Sequence, residues 1–246
     1  MTDFPNATLR ARMVPVGDSA ILVEFGETID PAINAAVLAL DARIRAMALE
    51  GVVELVPTYR SLLVHYDPEK IDGAALLARL ASLDLDHPGP PPEGRSWTVP
   101  VCYGGEFGID LEAVAERHGL TPEEVVRLHT APVYRVYMVG FVPGFTYLGG
   151  LDPRLHTPRL PEPRPRTPPG SVSIGGIQAG IASLAIPSGW HLLGRTPVRT
   201  FDPERDPPLL LAPGDRVRFV PIDPATFAEL DRRAAAHDPL IAPEPS

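Results

Sequence analysis

"HPGPPPEGRS", running from His87 to Ser96, holds four prolines and two glycines and little that a core could use. Proline fixes φ and has no amide donor, and glycine weakens any regular element, so residues 87–96 read as a linker. The two sides of this stretch differ in texture, and that difference sets the expected fold class: an α+β N-terminal domain followed by a mainly-β barrel domain.

Upstream, residues 1–86 read as a small α+β domain. "ARMVPVG" and "AILVEFG" have strand character. A helix follows from Pro31, with Asp30 as N-cap and proline at the first helical position. Its apolar residues Ile33, Val37, Leu40, Ile44 and Met47 step by three and four, which makes one buried stripe. "GVVELVPT" and "RSLLVHYD" are strands again, joined tightly around Pro57 to Tyr59, and a last helix carries Leu76, Leu77, Leu80 and Leu83. The order strand-strand-helix-strand-strand-helix implies a small antiparallel sheet with helices on one face.

Downstream, residues 97–236 open with the strand "WTVPVCY" and two short helices. The first ends at Gly119, a left-handed cap after His118. The second opens with a capping box, Thr121 and Glu124, with Pro122 in its first turn. Beyond His129 helical periodicity is almost absent until the end. "VYRVYMV", "SVSIGG", "IQAGIAS", "WHLLGRT" and "RVRFVPI" alternate with glycine and proline turns, the pattern of a closed barrel or sandwich. The final ten residues, 237–246, "HDPLIAPEPS", read as a frayed tail.

Composition bounds the chemistry. Of 246 residues, 44% are apolar and 22% charged, enough to bury a core. Thirty-one prolines, spread along the chain, favour short strands and turns over long helices. A net charge of −9 argues against nucleic acid and anionic membrane as partners. Lys70 is the single lysine against 21 arginines, so any bound anion must be held by arginine, by backbone N–H groups or by a partner protein. A single cysteine, Cys102, excludes an internal disulfide. "MTDFPNATLRARM" lacks the apolar core of a signal peptide, and no apolar run approaches the ~20 residues of a membrane span. A soluble cytoplasmic protein is the expectation.

Standard catalytic signatures are absent: no G-x-G-x-x-G, no Walker A lysine, no G-x-S-x-G. The seven histidines never pair at metal-binding spacing, so no metal site and no bound organic cofactor are expected. The helix pair at 110–129 carries only Arg127 as a fixed positive charge on its second helix, against Glu123 and Glu124, which disfavours DNA reading.

Three stretches carry chemistry. "VGFVPGFTYLGGLD" (Val139–Asp152) is either a tight turn whose aromatics fill a barrel end or a rigid loop with Phe145 and Tyr147 lining a pocket. "RLPEPRPRTPPGSVSIGGIQAG" (Arg159–Gly180) crowds five prolines and three arginines into its first twelve residues. Arg159, Arg164 and Arg166 are there a solvated face, or guanidinium groups held extended by proline for a carboxylate or phosphate. The two-residue period then separates Ser171 and Ser173 from Val172 and Ile174. The hydroxyls face solvent, or they line a barrel mouth. "GWHLLGRTP" (Gly189–Pro197) ends on Arg195 and Thr196, a salt bridge and turn or a part of the same site.

Taken in order, "VCYGGEFGIDLEAVA", "GFVPGFTYLGGLDPRL", "PRLPEPRPRTPPGSVSIGGIQAGI", "GWHLLGRTPVRTFDP" and "LLLAPGDRVRFVPI" resemble the family of 5-oxoprolinase B subunits. That family is also labelled allophanate hydrolase subunit 1, or the histidine-kinase inhibitor of sporulation control. "GDSAILVEFG" and "VPTYRSLLVHYDP" extend the likeness over about residues 10–222. The resemblance implies a cyclophilin-like β-barrel over 97–236, a partner C subunit with a related barrel fold, and an A subunit. Together such sets open 5-oxo-L-proline to L-glutamate with ATP, magnesium being its counter-ion, so this chain is expected to act only with its partners. The implied alternatives are a regulatory inhibitor of a sensor histidine kinase and an allophanate hydrolase or urea-carboxylase-like carboxyltransferase subunit.

Opening a stable lactam calls for activation of the amide oxygen by phosphorylation, and charge must then be neutralised on phosphate and substrate carboxylate. On that reading Arg159, Arg166 and Arg195 are the candidates for anionic groups, and Ser171, Ser173, Gln178 and Thr196 for orienting hydrogen bonds. Tyr147 and Trp190 would line the substrate, and His129 is an acid–base candidate unless it only complements its helix dipole. One departure stands out. The family reads Q-T-G-I-Y-P and then S-P-G-G-W, where this chain has "QAGIASLAIPSGW", which implies a reshaped loop before Trp190.

Overall fold

The computed structural model describes residues 11–244; the first ten residues of the expected N-terminal domain and the last two of the expected tail lie outside them. The chain divides into two compact units between Glu93 and Gly94.

The first unit is a four-stranded antiparallel sheet in the order β1 (Arg12–Val16), β2 (Ala20–Glu24), β4 (Ser61–Tyr66), β3 (Val52–Pro57). Helix α1 (Pro31–Met47) starts where Asp30 accepts the amides of Ala32 and Ile33. Its residues Ile33, Val37, Leu40 and Ile44 share one core with Ile21, Val23, Leu62 and Val64 of the sheet. Helix α2 (Gly73–Ala81) adds Leu76 and Leu80 to the same core. Two residues depart from expectation: Met47, in the last turn of α1, is 40% exposed, and Leu83, although packed against this core, lies beyond the end of α2.

The second unit holds a closed barrel of seven strands. Around the barrel they run β10 (Gln178–Ile181), β7 (Thr146–Gly149), β6 (Tyr134–Val139), β13 (Arg216–Pro221), β5 (Ser96–Tyr103), β12 (His191–Arg195) and β9 (Ser171–Gly175), which returns to β10. Neighbours are antiparallel except β13 and β5, the last and first strands of the barrel, which lie side by side in parallel. Asp215 fastens this seam. Its carboxylate, almost fully buried, accepts from the backbone and guanidinium of Arg95, from the Trp97 indole at 2.9 Å and from the Ala212 amide. The end of "HPGPPPEGRS" is therefore built into the barrel, because Arg95 binds Asp215 and Ser96 begins β5.

The barrel interior is packed solid with apolar side chains, among them Val99, Val136, Leu148, Val172, Ile174, Ala179 and Val217. Helices α3 (Leu111–His118) and α4 (Pro122–Thr130) cover one side, α3 ending on left-handed Gly119 and α4 opening with the Thr121–Glu124 capping box. Helix α5 (Pro224–Ala235), capped by Asp223, escapes a periodicity reading because it buries only Phe227 and Ala234.

The expected frayed tail is instead a strap. Beyond α5, His237 Nδ1 lies 2.8 Å from Asp202, Leu240 and Ile241 pack on the barrel core, and Glu244 bonds to Ser96 and Thr98. Its prolines remove backbone donors without preventing side-chain anchoring. The arginine- and proline-rich stretch is likewise ordered: β8 (Arg164–Thr167) pairs antiparallel with β11 (Ile186–Ser188) as a two-stranded ribbon. A two-stranded ribbon leaves one side of β8 unpaired, and there Pro165 costs no ladder bond.

A candidate ligand cup on the barrel wall

Strands β7, β10 and β9 pair in a register that sorts their side chains by face. Leu148, Ala179 and Ile174 oppose one another and point into the core. Tyr147, Gly180 and Ser173 oppose one another on the outer face, because side chains alternate along a strand. The serine face thus neither lines a barrel mouth nor meets solvent. Ser171 and Ser173 are 1% and 3% exposed, and the Ser171 hydroxyl donates to the Pro168 carbonyl.

Trp190, one residue before β12, lies across this outer wall. A Cβ on Gly175 would stand 2.7 Å from its ring and one on Gly180 would stand 3.0 Å away, so only glycine leaves room for the indole. Phe145 meets Trp190 edge-on at 6.0 Å and packs on Tyr147 at 4.6 Å between centroids. The Arg159 guanidinium sits 5.6 Å from the centre of the Trp190 ring, within cation–π range. Together with Phe141 and the segment 186–189 these side chains enclose an open cup of about 170 Å³.

The chain on both sides of Arg159 is pinned. His118 Nε2 pairs with the Thr157 hydroxyl at 2.9 Å, His191 Nε2 donates to the Pro158 carbonyl at 2.9 Å, and the Leu160 amide donates to Gly189 at 2.7 Å. The departure residue Ser188 accepts the Trp190 amide at 3.1 Å and so shapes the rim. Arg159 itself makes no hydrogen bond or ion pair among the described residues, which leaves its donors available. Burial pushes the Tyr147 hydroxyl pKa up, with Arg159 pulling it the other way.

Of the residues singled out from sequence, the structure brings Phe145, Tyr147, Arg159 and Trp190 together and leaves the others outside the cup. Arg164 is structural: it holds Asp110 at 2.6 Å, whose other oxygen accepts the Leu192 amide. Arg195 donates to the Pro169 carbonyl and lies over Phe227. Thr196 is buried, its hydroxyl accepting the Val198 amide. Arg166 is exposed on β8, and Gln178 is half-buried at the start of β10; neither lines the cup. His129 is corrected most sharply. It is fully buried, stacked on Phe219 at 4.9 Å and bonded through Nδ1 to the Tyr103 hydroxyl. Burial lowers its pKa to about 3, so it is a neutral core residue with no surface from which to exchange a proton with substrate. Sequence reasoning missed Phe141, although it lies in the quoted aromatic loop, and missed His118 and His191; only the tertiary packing shows which residues they face.

A second cavity, of about 340 Å³, lies between the strap and the 198–210 loop. Its charged groups other than the exposed Arg199 are engaged. Arg205 donates to four backbone carbonyls, and His237 stands between Asp202 and Glu204. The cup, with an unengaged guanidinium against aromatic walls, is the better candidate site. Among the described residues no group of three or more His, Cys, Asp or Glu is placed to hold a metal, and no helix is long and apolar enough to cross a membrane.

Comparison with known proteins follows the same lines. The family model for the carboxyltransferase domain, subdomain C and D, matches residues 11–211. The 5-oxoprolinase B subunit of Bacillus subtilis is 42% identical over 229 residues, covering 87% of this chain and 94% of that protein. The crystal structure of TTHA0988 superposes with a TM-score of 0.73 at 41% identity, over 83% of this chain but only 40% of that longer one. The K. lactis urea amidolyase structure, at 23% identity and a TM-score of 0.80, shares the fold over 99% of this chain and 17% of its own. Matched from Ala11 to Leu211 by the domain model and along nearly its whole length by the B. subtilis protein, the chain belongs to the 5-oxoprolinase B-subunit family of carboxyltransferase C and D subdomains.

Proposed function

We propose that the chain is the B subunit of an ATP-dependent 5-oxoprolinase and that the cup binds the carboxylate-bearing lactam. The observation that carries this is Arg159, held over Trp190 by bonds on both sides of it, with its donors unengaged. A guanidinium presents two parallel N–H donors to a carboxylate, and the flat walls of Tyr147, Phe145 and Trp190 suit a small planar ring. The cup is smaller than the ~300 Å³ at which pockets for larger ligands begin, so it takes the lactam and not a nucleotide beside it. ATP supplies the activation of the amide oxygen, and its phosphates would be met on another surface or by the partner A and C subunits. This chain's own part is to orient the ring and to screen it from water on the aromatic side.

The test is calorimetric titration of the purified chain with 5-oxo-L-proline, followed in parallel by the fluorescence of Trp190. Saturable binding is expected, weakened roughly ten- to a hundredfold by Arg159→Ala, the worth of a charge-assisted hydrogen bond. Equal binding by that variant, or none by the parent, overturns the assignment. Substantial 5-oxoproline-dependent ATP hydrolysis by the single chain would overturn the dependence on partner subunits.

A further inference from the structure

Phe141 is held in an unusual way. It has φ of 72°, one of three non-glycine residues at positive φ among those described, and its side chain is left 66% exposed. The left-handed region is costly for an aromatic L-residue, and exposure of the ring adds a hydration penalty. The loop does not let it relax. The Gly140 amide donates to the Phe145 carbonyl, the Phe145 amide to Val142, and the Ser183 hydroxyl to Pro143. The Gly144 carbonyl takes the hydroxyls of both Thr146 and Thr200. All these bonds fix the backbone, while the ring touches the cup only edge-on, 6.1 Å from Phe145. Strain held in place by surrounding bonds, at the rim of a pocket, points to a role completed by a ligand.

We infer that Phe141 is the specificity-determining side of the cup, its ring packing on the apolar ring carbons of the bound lactam. This rests on the reading of the cup as the lactam site. An apolar rim accepts a neutral amide ring with a single carboxylate anchored on Arg159. It penalises the open-chain product, which adds an ammonium and a second carboxylate that would be desolvated against the ring. Phe141 would therefore favour substrate over product and hasten exchange after ring opening.

The test uses Phe141→Asn and Phe141→Gly, both of which tolerate positive φ, and Phe141→Tyr, which keeps the ring. Calorimetry with 5-oxo-L-proline and with L-glutamate is the readout, with thermal melts alongside. Asn and Gly variants are expected to melt no lower than the parent, yet to bind 5-oxo-L-proline about tenfold more weakly while L-glutamate binds more tightly than it does to the parent. The Tyr variant should stay within about threefold of the parent, a small fraction of the affinity. Unchanged lactam affinity in the Asn variant, equal losses for both ligands, or a Tyr variant as weak as Gly would each overturn the role of Phe141. A parent chain that binds no lactam overturns the cup reading itself and this inference with it. Normal parental binding with unaffected variants removes only the inference.

Discussion

His129, sealed among Tyr103, Tyr134 and Phe219, makes the clearest prediction at the scale of a residue. Folded, it stays neutral down to about pH 3; unfolded, its imidazole binds a proton below about 6.5. As pH falls below 6.5 the unfolded state takes up the extra proton, so stability drops progressively until the folded group titrates. The cost reaches about 3 kcal/mol by pH 4 at 1.36 kcal/mol per unit. His129→Phe should flatten that limb of a stability-against-pH curve measured by denaturant melts; a limb of unchanged steepness would show that other groups govern it. Arginines show how neighbours set roles. Arg159 and Arg164 come from the same proline-rich stretch and Arg195 from the end of a strand, yet the first is unengaged over an indole, the second holds Asp110 and the third donates to a carbonyl.

Among elements, the strap beyond α5 and the ribbon of β8 with β11 are the pieces that composition reads as loose. Each is ordered by a few side-chain contacts that local pattern does not announce. For the strap these are His237 on Asp202 and the packing of Leu240 and Ile241. Ending the chain after Ala236 should cost about 2 kcal/mol, mainly the half-buried Leu and Ile side chains. A urea midpoint unaltered by this truncation would mean that the strap adds nothing to stability. Where local chemistry suffices, elements were legible in advance: Asp30 and the Thr121–Glu124 box mark helix starts because caps act within three residues. Short β7, β8 and β11 were not, since three or four residues among glycines and prolines carry no period.

For the whole molecule, closure of the barrel depends on one carboxylate that joins its first strand to its last. Asp215 lies 120 residues from Arg95 and accepts donors both from the start of β5, at Arg95 and Trp97, and from Ala212 beside it in sequence. Asp215→Ala would leave the Trp97 indole N–H and backbone amides buried without partners and should cost about 3 kcal/mol. Denaturant unfolding with an unchanged m-value and a shifted midpoint would report it, and a loss below about 1 kcal/mol would show that the seam does not depend on this carboxylate. Sequence by itself determined the helix caps, the change of texture around His87 to Ser96, the scarcity of lysine that leaves anions to arginine, and the family likeness. Those properties are local or compositional, carried by neighbours a few residues apart. Only the tertiary structure decided that the barrel is filled, that the serines are covered and His129 sealed, and that Phe141, Tyr147, Arg159 and Trp190 meet on its outer wall. Which face a side chain takes, and what lies opposite, is set by strand register between segments far apart in the chain.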